Sequence, residues 1–281
     1  MQYYALLKKA LYACLMTALF STVQAKLFVP DLEPWGFWLP SDESATAIID
    51  HSLWQSTLDG YLVTDAADRI YRFDYAAVTS ADRQSLQVYL QMLASIDPRK
   101  YSRAEQQAYW INFYNALTVE VVLDHYPVKS IRKIYGGLLG TGPWDEPLTV
   151  VAGQTLSLND IEHRILRPIW QDPRIHYAVN CASLGCPNLM PQTYSAANAG
   201  TMLDAGARAF VNHPRGVSLS QGTLTLSSIY DWYDSDFGAD QAGLIDHLAK
   251  YAEPQLAVQL KTHKGRVDYD YNWQLNELSA R

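Results

Sequence analysis

Apolar side chains recur with a period near 3.6 residues through the N-terminal half of the chain, and this spacing predicts helices. The segment 80–98 begins at Ser80, a favourable N-cap, carries leucines on one broad face and ends at Pro98. Residues 41–62 show the same period. Residues 158–168 show it too, although this segment lies in the C-terminal half of the chain, where hairpins are more frequent.

The segment 102–127 is predicted to be the central helix of the fold. It opens with Ser102-x-x-Glu105, a capping box, and from Trp110 onward it is apolar on nearly every side, which indicates burial. Asn112 and Asn115 interrupt this apolar surface on one face. Two interpretations stay open: these amides bind loop backbone, or one of them orients a substrate or a catalytic imidazole.

Alternating polar and apolar positions in the C-terminal half predict strands. Hairpins are expected at 148–158 and 216–228, and single strands at 174–181 and 265–276. The strand 174–181 would place His176 and Asn180 on one face. Helices followed by hairpins predict an α+β fold, with the long buried central helix packed on a mainly antiparallel sheet.

The first 25 residues have the features of a secretory signal peptide. Two lysines precede an apolar run of eleven residues, which is too short to span a membrane, where about 20 are needed. The run is followed by a small-residue cleavage pattern ending at Ala25. We therefore expect a periplasmic or secreted protein with a signal peptide at 1–25, an arm and helix at 26–79, and an α+β domain at 80–281.

The charge of the chain narrows the expected partners. The formal net charge is −7, and removal of residues 1–25 takes away two lysines and no acid, leaving −9. Such a surface disfavours nucleic acid and anionic lipid. No integral membrane span is expected after cleavage, the oligomeric state stays open, and the expected ligand is a small molecule or peptide. The glycine-rich loop 136–147, which contains Trp144, is predicted to be a lid; it lacks a phosphate-binding pattern, and no cofactor is predicted.

Cys181 and Cys186, in "RIHYAVNCASLGCPNLMP" (174–191), are the cysteines that remain after cleavage. Three interpretations compete. One cysteine is an activated nucleophile; the pair forms a disulfide, as an exported chain permits; or the pair binds a metal together with His176, which its spacing makes the weakest of the three. The acidic segment "DWYDSDFG" (231–238) is interpreted as a solvated turn, because its spacing does not fit a calcium loop.

Glu162 lies within the apolar stripe of the helix 158–168, with His163 beside it. A buried carboxylate requires a partner, so this helix either forms a structural ion pair or supplies catalytic groups.

The resulting hypothesis is thiol-dependent hydrolysis or acyl transfer at amide or thioester bonds. Cys186 would attack, His163 or His176 would be the base and Glu162 would orient it, and Cys181 is included among the catalytic candidates. Candidate substrate-binding residues are Asn112, Asn115, Trp144 and Asn180; no metal site is predicted. The alternative is a non-catalytic binding module with a Cys181–Cys186 disulfide.

Four blocks of the sequence carry a family resemblance: "YWINFYNALTVEVV", "LSLNDIEHRILRP", "DPRIHYAVNCASLGCPNL" and "VDYDYNWQLN". In this order they resemble the signature blocks of the DUF547 family, which implies an exported bacterial member of an uncharacterised module. In plant members serine often stands where Cys186 stands here. The resemblance therefore implies that Glu162 and His163, within "IEH", are the more general feature.

A papain-like or transglutaminase-like fold is a further analogy, since it combines a buried central helix with an antiparallel sheet that carries histidine and an acid or amide. This sequence has no cysteine in the region 102–112, where that analogy would place the nucleophile at the start of the central helix. The nucleophile would have to come from the turn at 181–186 instead.

Overall fold

The computed structural model describes residues 32–135 and 141–278. The predicted signal peptide, the first part of the arm and five residues of the predicted lid lie outside the described residues. The described α-helices are α1 (Ser52–Tyr61), α2 (Ser80–Ser95), α3 (Arg103–His125), α4 (Arg167–Trp170), α5 (Ala199–Val211), α6 (Ile229–Trp232), α7 (Gln241–Tyr251) and α8 (Pro254–Thr262). A π-helix, Asp160–Leu166, runs directly into α4. Short 3₁₀ helices are Gly36–Trp38, Tyr75–Ala77, Pro98–Lys100, Ile131–Lys133 and Pro173–Tyr177.

The described strands form three small sheets. They are β1 (Leu62–Val63), β2 (Arg72–Phe73), β3 (Thr149–Val151), β4 (Gln154–Leu156), β5 (Val217–Ser220), β6 (Thr223–Ser227) and β7 (Arg266–Asp270). The pairs β1–β2, β3–β4 and β5–β6 are antiparallel, whereas β7 adds to β6 in parallel, with Leu224 opposite Val267. Both predicted hairpins are present, and the α+β class is confirmed.

The central helix α3 forms as its sequence predicts. The Ser102 hydroxyl accepts a hydrogen bond from the backbone N–H of Glu105 at 3.3 Å and so caps the first turn. Trp110, Phe113 and Val122 point in different directions around the helix, yet all three are buried. Neighbours therefore cover α3 on every side, and these neighbours include α2, the π-helix and α5.

Two hydrophobic cores divide the described part of the molecule. The first contains α1 to α3, the π-helix and the hairpin β3–β4. The second surrounds the sheet β5–β6–β7 and includes side chains of α7. Helix α5 joins them, with Leu203 in the first core and Phe210 in the second. The expectation that α3 packs on the sheet needs refinement, because α3 lies in the first core and packs mainly on helices.

The predicted strand 174–181 is wrong. Residues Pro173–Tyr177 form a 3₁₀ helix, started by Asp172, whose carboxylate accepts a hydrogen bond from the backbone N–H of Arg174. The alternation that suggested a strand has no structural meaning, because Ile175, His176 and Tyr177 are all buried. When both faces of a segment are covered, apolar periodicity cannot separate a strand from a helix.

Two helix boundaries also differ from the sequence prediction. Helix α1 begins at Ser52, about ten residues later than the apolar period of 41–62 suggested. The helix predicted over 158–168 continues to Trp170. Pro168 does not end it: the proline lies where the π-helix runs into α4, and the Arg164 carbonyl one turn earlier accepts a hydrogen bond from the backbone N–H of Trp35 at 3.0 Å instead.

Candidate functional site

The π-helix Asp160–Leu166 presents two adjacent polar side chains to the interior. Glu162 and His163 are both buried, with 6% and 3% of their surface exposed. A π-helix has wider turns than an α-helix, is rare, and is frequently found at functional sites. The stripe pattern of the sequence predicted the inward carboxylate, but nothing in it predicted the π geometry.

His176 meets two carboxylates. Its Nε2 lies 2.7 Å from Asp236 Oδ2, and its Nδ1 lies 3.7 Å from Glu162 Oε1. An ionised carboxylate can only accept a hydrogen bond, so Nε2 carries the ring hydrogen and donates a hydrogen bond to Asp236. Tyr233 stacks on the other side of the ring, with the two ring centroids 4.1 Å apart. The imidazole is therefore fixed in position and orientation.

Arg167 connects the two histidines. Its Nε and Nη2 donate to the two oxygens of Asp236 at 2.7 and 3.1 Å, and its Nη1 donates to Nδ1 of His163 at 2.9 Å. The guanidinium also lies over the ring of Tyr233, 4.7 Å from its centroid. We call Glu162, His163, Arg167, His176 and Asp236 the charged cluster.

The expectation that His163 is a general base needs correction. An arginine can only donate, so Nδ1 of His163 must accept, and the ring proton sits on Nε2. Burial lowers the pKa of His163 to about 4; Glu162 opposes this shift and the cation of Arg167 adds to it. At neutral pH the ring is therefore neutral, and its lone pair is already occupied by Arg167.

The two carboxylates of the charged cluster stay ionised at neutral pH. Burial raises the pKa of Glu162, but the electrostatic attraction of His163, His176 and Arg167 outweighs it, so the pKa lies well below its usual range. Burial also raises the pKa of Asp236, and the hydrogen bonds from His176 and Arg167 outweigh it in the same way. The charged cluster is thus a compact network of paired charges.

The second part of the site is the dithiol turn, residues 181–186. Both cysteines are free thiols with their sulfur atoms 2.7 Å apart; Cys186 is buried and Cys181 is half-buried. The backbone N–H of Cys181 donates to Cys186 Sγ at 3.0 Å. The Tyr271 hydroxyl contacts Cys181 Sγ at 3.1 Å and Ser183 Oγ at 2.9 Å. None of the hydrogen bonds of the dithiol turn joins a sulfur to His163 or His176 within the described residues.

The two thiols differ in acidity. Burial raises the pKa of Cys186, but donors from Cys181 and Tyr271, together with the Arg215 cation, lower it to about 7. The pKa of Cys181 is raised, first by its hydrogen bond to Cys186 and then by burial. Ionisation therefore places the negative charge on Cys186, with Cys181 as the thiol that donates to it.

The dithiol turn is held by the C-terminal segment of the chain. Gly185 donates its N–H to the Asn272 carbonyl at 2.8 Å, and Leu184 donates to the Gln274 carbonyl at 2.8 Å. A Cβ at Gly185 would lie 2.8 Å from the backbone nitrogen of Asn272, so a side chain cannot fit there. Ala182 has a φ of 56°, a left-handed conformation that is strained for alanine.

Three candidate substrate-binding residues are engaged in structural hydrogen bonds. Asn112 exchanges two hydrogen bonds with the backbone of Tyr194. Asn115 donates to the Ala178 carbonyl and accepts from the backbone N–H of Asn180. The Asn180 side chain in turn donates to the Pro187 carbonyl and accepts from the Ala182 N–H. Asn115 and Asn180 together attach the dithiol turn to α3, and Asn112 attaches the segment around Tyr194 to the same helix.

Trp144, the fourth candidate, belongs to a half-buried aromatic group. We call Trp144, Trp232, Tyr271 and Trp273 the aromatic wall. Trp273 is central: its ring lies 4.6 Å from Tyr271, 5.5 Å from Trp232 and 5.8 Å from Trp144, measured between ring centroids. Because Tyr271 also contacts Cys181, the aromatic wall adjoins the dithiol turn.

Trp232 and Tyr233, adjacent in the chain, link the aromatic wall beside the dithiol turn to the charged cluster. Burial raises the pKa of Tyr233, and the negative charges of Glu162 and both cysteines raise it further; the pKa of Tyr114 is raised for the same reasons. Trp232 belongs to the aromatic wall, while the next residue, Tyr233, stacks on His176. One short segment of chain thus forms a boundary between the two groups.

Sequence reasoning missed several residues of this site: Arg167, Arg215, Tyr233, Asp236 and Tyr271. Asp236 lies in the acidic segment interpreted as a solvated turn, but its carboxylate is only 13% exposed and is bound by the Arg167 guanidinium and the His176 imidazole. A signal was available in the surroundings, because aromatic residues flank these aspartates in "DWYDSDFG". The described residues contain no group of three or more His, Cys, Asp or Glu that could hold a metal ion.

Residues 98–211 match the family model DUF547, described as a protein of unknown function. This part of the chain belongs to the DUF547 family. The DUF547 segment contains α3, the π-helix, His176 and both cysteines, whereas Asp236 and Tyr271 lie beyond it. Comparison with curated proteins and with solved structures found no match. No helix within the described ranges is long and apolar enough to cross a membrane.

Proposed function

We propose that this DUF547 protein is a thiol-dependent hydrolase or acyl-transferase that acts on amide or thioester bonds, with Cys186 as the nucleophile. The observation that carries the proposal is the set of donors around Cys186 Sγ. The backbone N–H of Cys181 lies 3.0 Å and the Cys181 thiol 2.7 Å from this sulfur, and both favour its thiolate, which is the nucleophilic form.

The proposed reaction begins with the stabilised thiolate of Cys186. The Cys186 thiolate attacks the carbonyl carbon and expels an amine or a thiol, leaving an acyl-thioester on the protein. Water or an acceptor amine then releases the acyl group and regenerates the thiolate. Asp236 holds Nε2 of His176 as a carboxylate holds the histidine of a serine–histidine–aspartate triad, and we assign proton transfer to the other ring nitrogen, Nδ1, on the side of Glu162. His163, whose proton lies on Nε2, is assigned a supporting role.

A second candidate, a non-catalytic binding module, is favoured by one specific observation. Cys186 is only 5% exposed, whereas the aromatic wall is half-buried and partly open to solvent. Flat aromatic surfaces of this kind suit a sugar ring or an apolar peptide side chain. In that case removal of Trp273 would abolish ligand binding, and removal of Cys186 would not.

The decisive experiment uses the reduced chain and a panel of acyl thioesters and activated amides. Intact mass after rapid quenching should show one acyl group, mapped to Cys186, and turnover should follow its release. Cys186→Ser should abolish both signals. His176→Gln should slow turnover. The matched control is His263→Gln, which should not slow it, because His263 is bound to the backbone carbonyl of Arg266 and is not part of the charged cluster.

Acylation that persists in Cys186→Ser would contradict the assignment of Cys186 as the nucleophile. A panel in which no compound acylates the chain while Trp273→Ala abolishes binding of a ligand would favour the binding module.

Export is part of the same proposal, and it rests on the pattern of residues 1–25. Cell fractionation should place the protein outside the cytoplasm, and the mass of the mature chain should correspond to a first residue of Lys26. A cytoplasmic protein that begins at Met1 would contradict this part of the proposal without affecting the site.

A further inference from the structure

The two thiols of the dithiol turn touch each other but have unlike surroundings. Cys186 is 5% exposed and has donors against its sulfur, whereas Cys181 is half-buried and is the more exposed of the two residues. Thiol exchange depends on which sulfur can be attacked and on how well the other sulfur leaves as a thiolate. The dithiol turn divides these two roles between its cysteines.

Arg215 strengthens this asymmetry. Its Nη1 donates to the Leu184 carbonyl at 3.0 Å, inside the dithiol turn, and its Nη2 donates to Asn188 Oδ1 just beyond it. Among the described residues no carboxylate forms an ion pair with Arg215, and its buried Nε has no hydrogen-bond partner. A cation held against the turn in this way favours a negative charge on Cys186.

We propose that Cys181 and Cys186 form a reversible, exchange-active disulfide, in which Cys181 is the sulfur attacked by small-molecule thiols and Cys186 is the leaving thiolate. The inference concerns thiol–disulfide exchange, an activity separate from acyl transfer. Formation of the disulfide would remove the Cys186 nucleophile and so inactivate the acyl-transfer site. Only this regulatory consequence rests on the proposed function.

The exchange is balanced in two steps. A thiolate RS⁻ attacks Cys181 Sγ, the Cys181–Cys186 bond breaks, and Cys186 leaves as a thiolate, so that Cys181 carries the mixed disulfide. A second RS⁻ attacks the outer sulfur of that mixed disulfide, RSSR forms, and Cys181 takes up one proton. Two electrons have passed from two thiolates to the protein disulfide, and the reverse steps oxidise the dithiol with RSSR as the oxidant.

The same contacts predict that the disulfide is readily reduced. The backbone N–H of Cys181, the Tyr271 hydroxyl and Arg215 all stabilise Cys186 as a thiolate and lose this interaction when the disulfide forms. Stabilisation of the reduced form makes a disulfide more oxidising. A purely structural disulfide would lack this arrangement and would resist reduction.

The test is a redox titration of the full chain in mixtures of reduced and oxidised glutathione, followed by rapid alkylation and intact mass. The expected result is a reversible transition between dithiol and disulfide within the glutathione range. Tyr271→Phe and Arg215→Gln should each make the disulfide about tenfold harder to reduce. Tyr269→Phe, which alters a more exposed tyrosine two residues away, should leave the equilibrium unchanged.

Partial reduction tests the order of the steps. When the disulfide form is treated briefly with reduced glutathione and alkylated at once, the mixed disulfide should map to Cys181 and the alkyl group to Cys186, and the opposite placement would contradict the proposal. A disulfide that stays intact in excess reduced glutathione, or a dithiol that oxidised glutathione never closes, would overturn the proposal. These readouts do not involve acyl transfer, so failure of the hydrolase proposal would be recognised separately, by absent acylation of a chain that still titrates.

Discussion

Replacement of Arg167 by methionine tests whether the charged cluster is an integral part of the fold. Arg167 is 4% exposed and binds both oxygens of Asp236, which is 13% exposed. Methionine preserves much of the side-chain volume but leaves the carboxylate with one strong partner, the N–H of His176. Removal of one member of a buried ion pair costs about 3–5 kcal/mol. Because His176 remains, we expect about 3 kcal/mol.

Urea unfolding and thermal melting measure this effect. For a chain of this size, about 3 kcal/mol corresponds to a fall in Tm of roughly 6–12 °C. The matched control is Arg266→Met, which removes an arginine that is 76% exposed and paired with Asp268; its expected effect is below about 1 kcal/mol. The double variant Arg167→Met/Asp236→Leu should recover part of the loss, because the Asp236 carboxylate that lost its cation is then absent. Equal stability of Arg167→Met and Arg266→Met would contradict a stabilising role for the buried Arg167–Asp236 pair.

Three further predictions follow from the described contacts. The pKa of His163 is lowered to about 4 in the folded protein, so the unfolded chain takes up this proton at a higher pH. The free energy of unfolding should therefore fall as the pH drops from about 6.5 to about 4. His163→Gln should flatten this dependence in acid unfolding curves. Asn115→Ala removes two buried hydrogen bonds and should cost about 2–4 kcal/mol in urea unfolding, while Asn272→Ala, on the exposed surface, should cost little. Gly185→Ala should push the C-terminal segment off the dithiol turn and speed alkylation of Cys186, whereas Gly60→Ala, where the added Cβ meets no atom within 4 Å, should not; equal rates in these two variants would contradict the packing described.

The central helix was predictable because its signals are local. Ser102 and Glu105 define its start within a few residues, and the apolar surface beyond Trp110 needs no knowledge of the rest of the chain. The hairpin β5–β6 was predictable for the same reason, since alternation and a Gln221–Gly222 turn lie within one short segment. Local patterns therefore carried this part of the prediction.

The charged cluster was predictable only in part, because its contacts cross long stretches of sequence. Glu162 stood out as a carboxylate in an apolar stripe, but its neighbour Asp236 lies 74 positions later in a segment that looks solvated. The wide turn of the π-helix, which brings His163 inward beside Glu162, has no sequence signal of its own. The sequence also gave no sign that Arg167, one turn further on, donates to Nδ1 of His163, the nitrogen that a base would need.

The segment 174–181 shows how complete burial removes the information in a periodic pattern. Its residues are covered on both sides, so alternation reflects neither a strand nor a face, and the local cap at Asp172 determines the conformation instead. Asn180 illustrates the opposite case. It was a candidate for ligand binding, yet the irregular backbone of the dithiol turn needs its amide for two hydrogen bonds.

The most direct test of Cys186 as an activated nucleophile is the rate at which it reacts with iodoacetamide in the fully reduced protein as a function of pH, with the site identified by peptide mass. We expect a rate that reaches half its maximum near pH 7, because Cys181, Tyr271 and Arg215 stabilise the thiolate. The midpoint should move upward in Tyr271→Phe. A midpoint near pH 9, the ordinary range for a thiol, or modification of Cys181 alone would contradict the claim that Cys186 is an activated nucleophile.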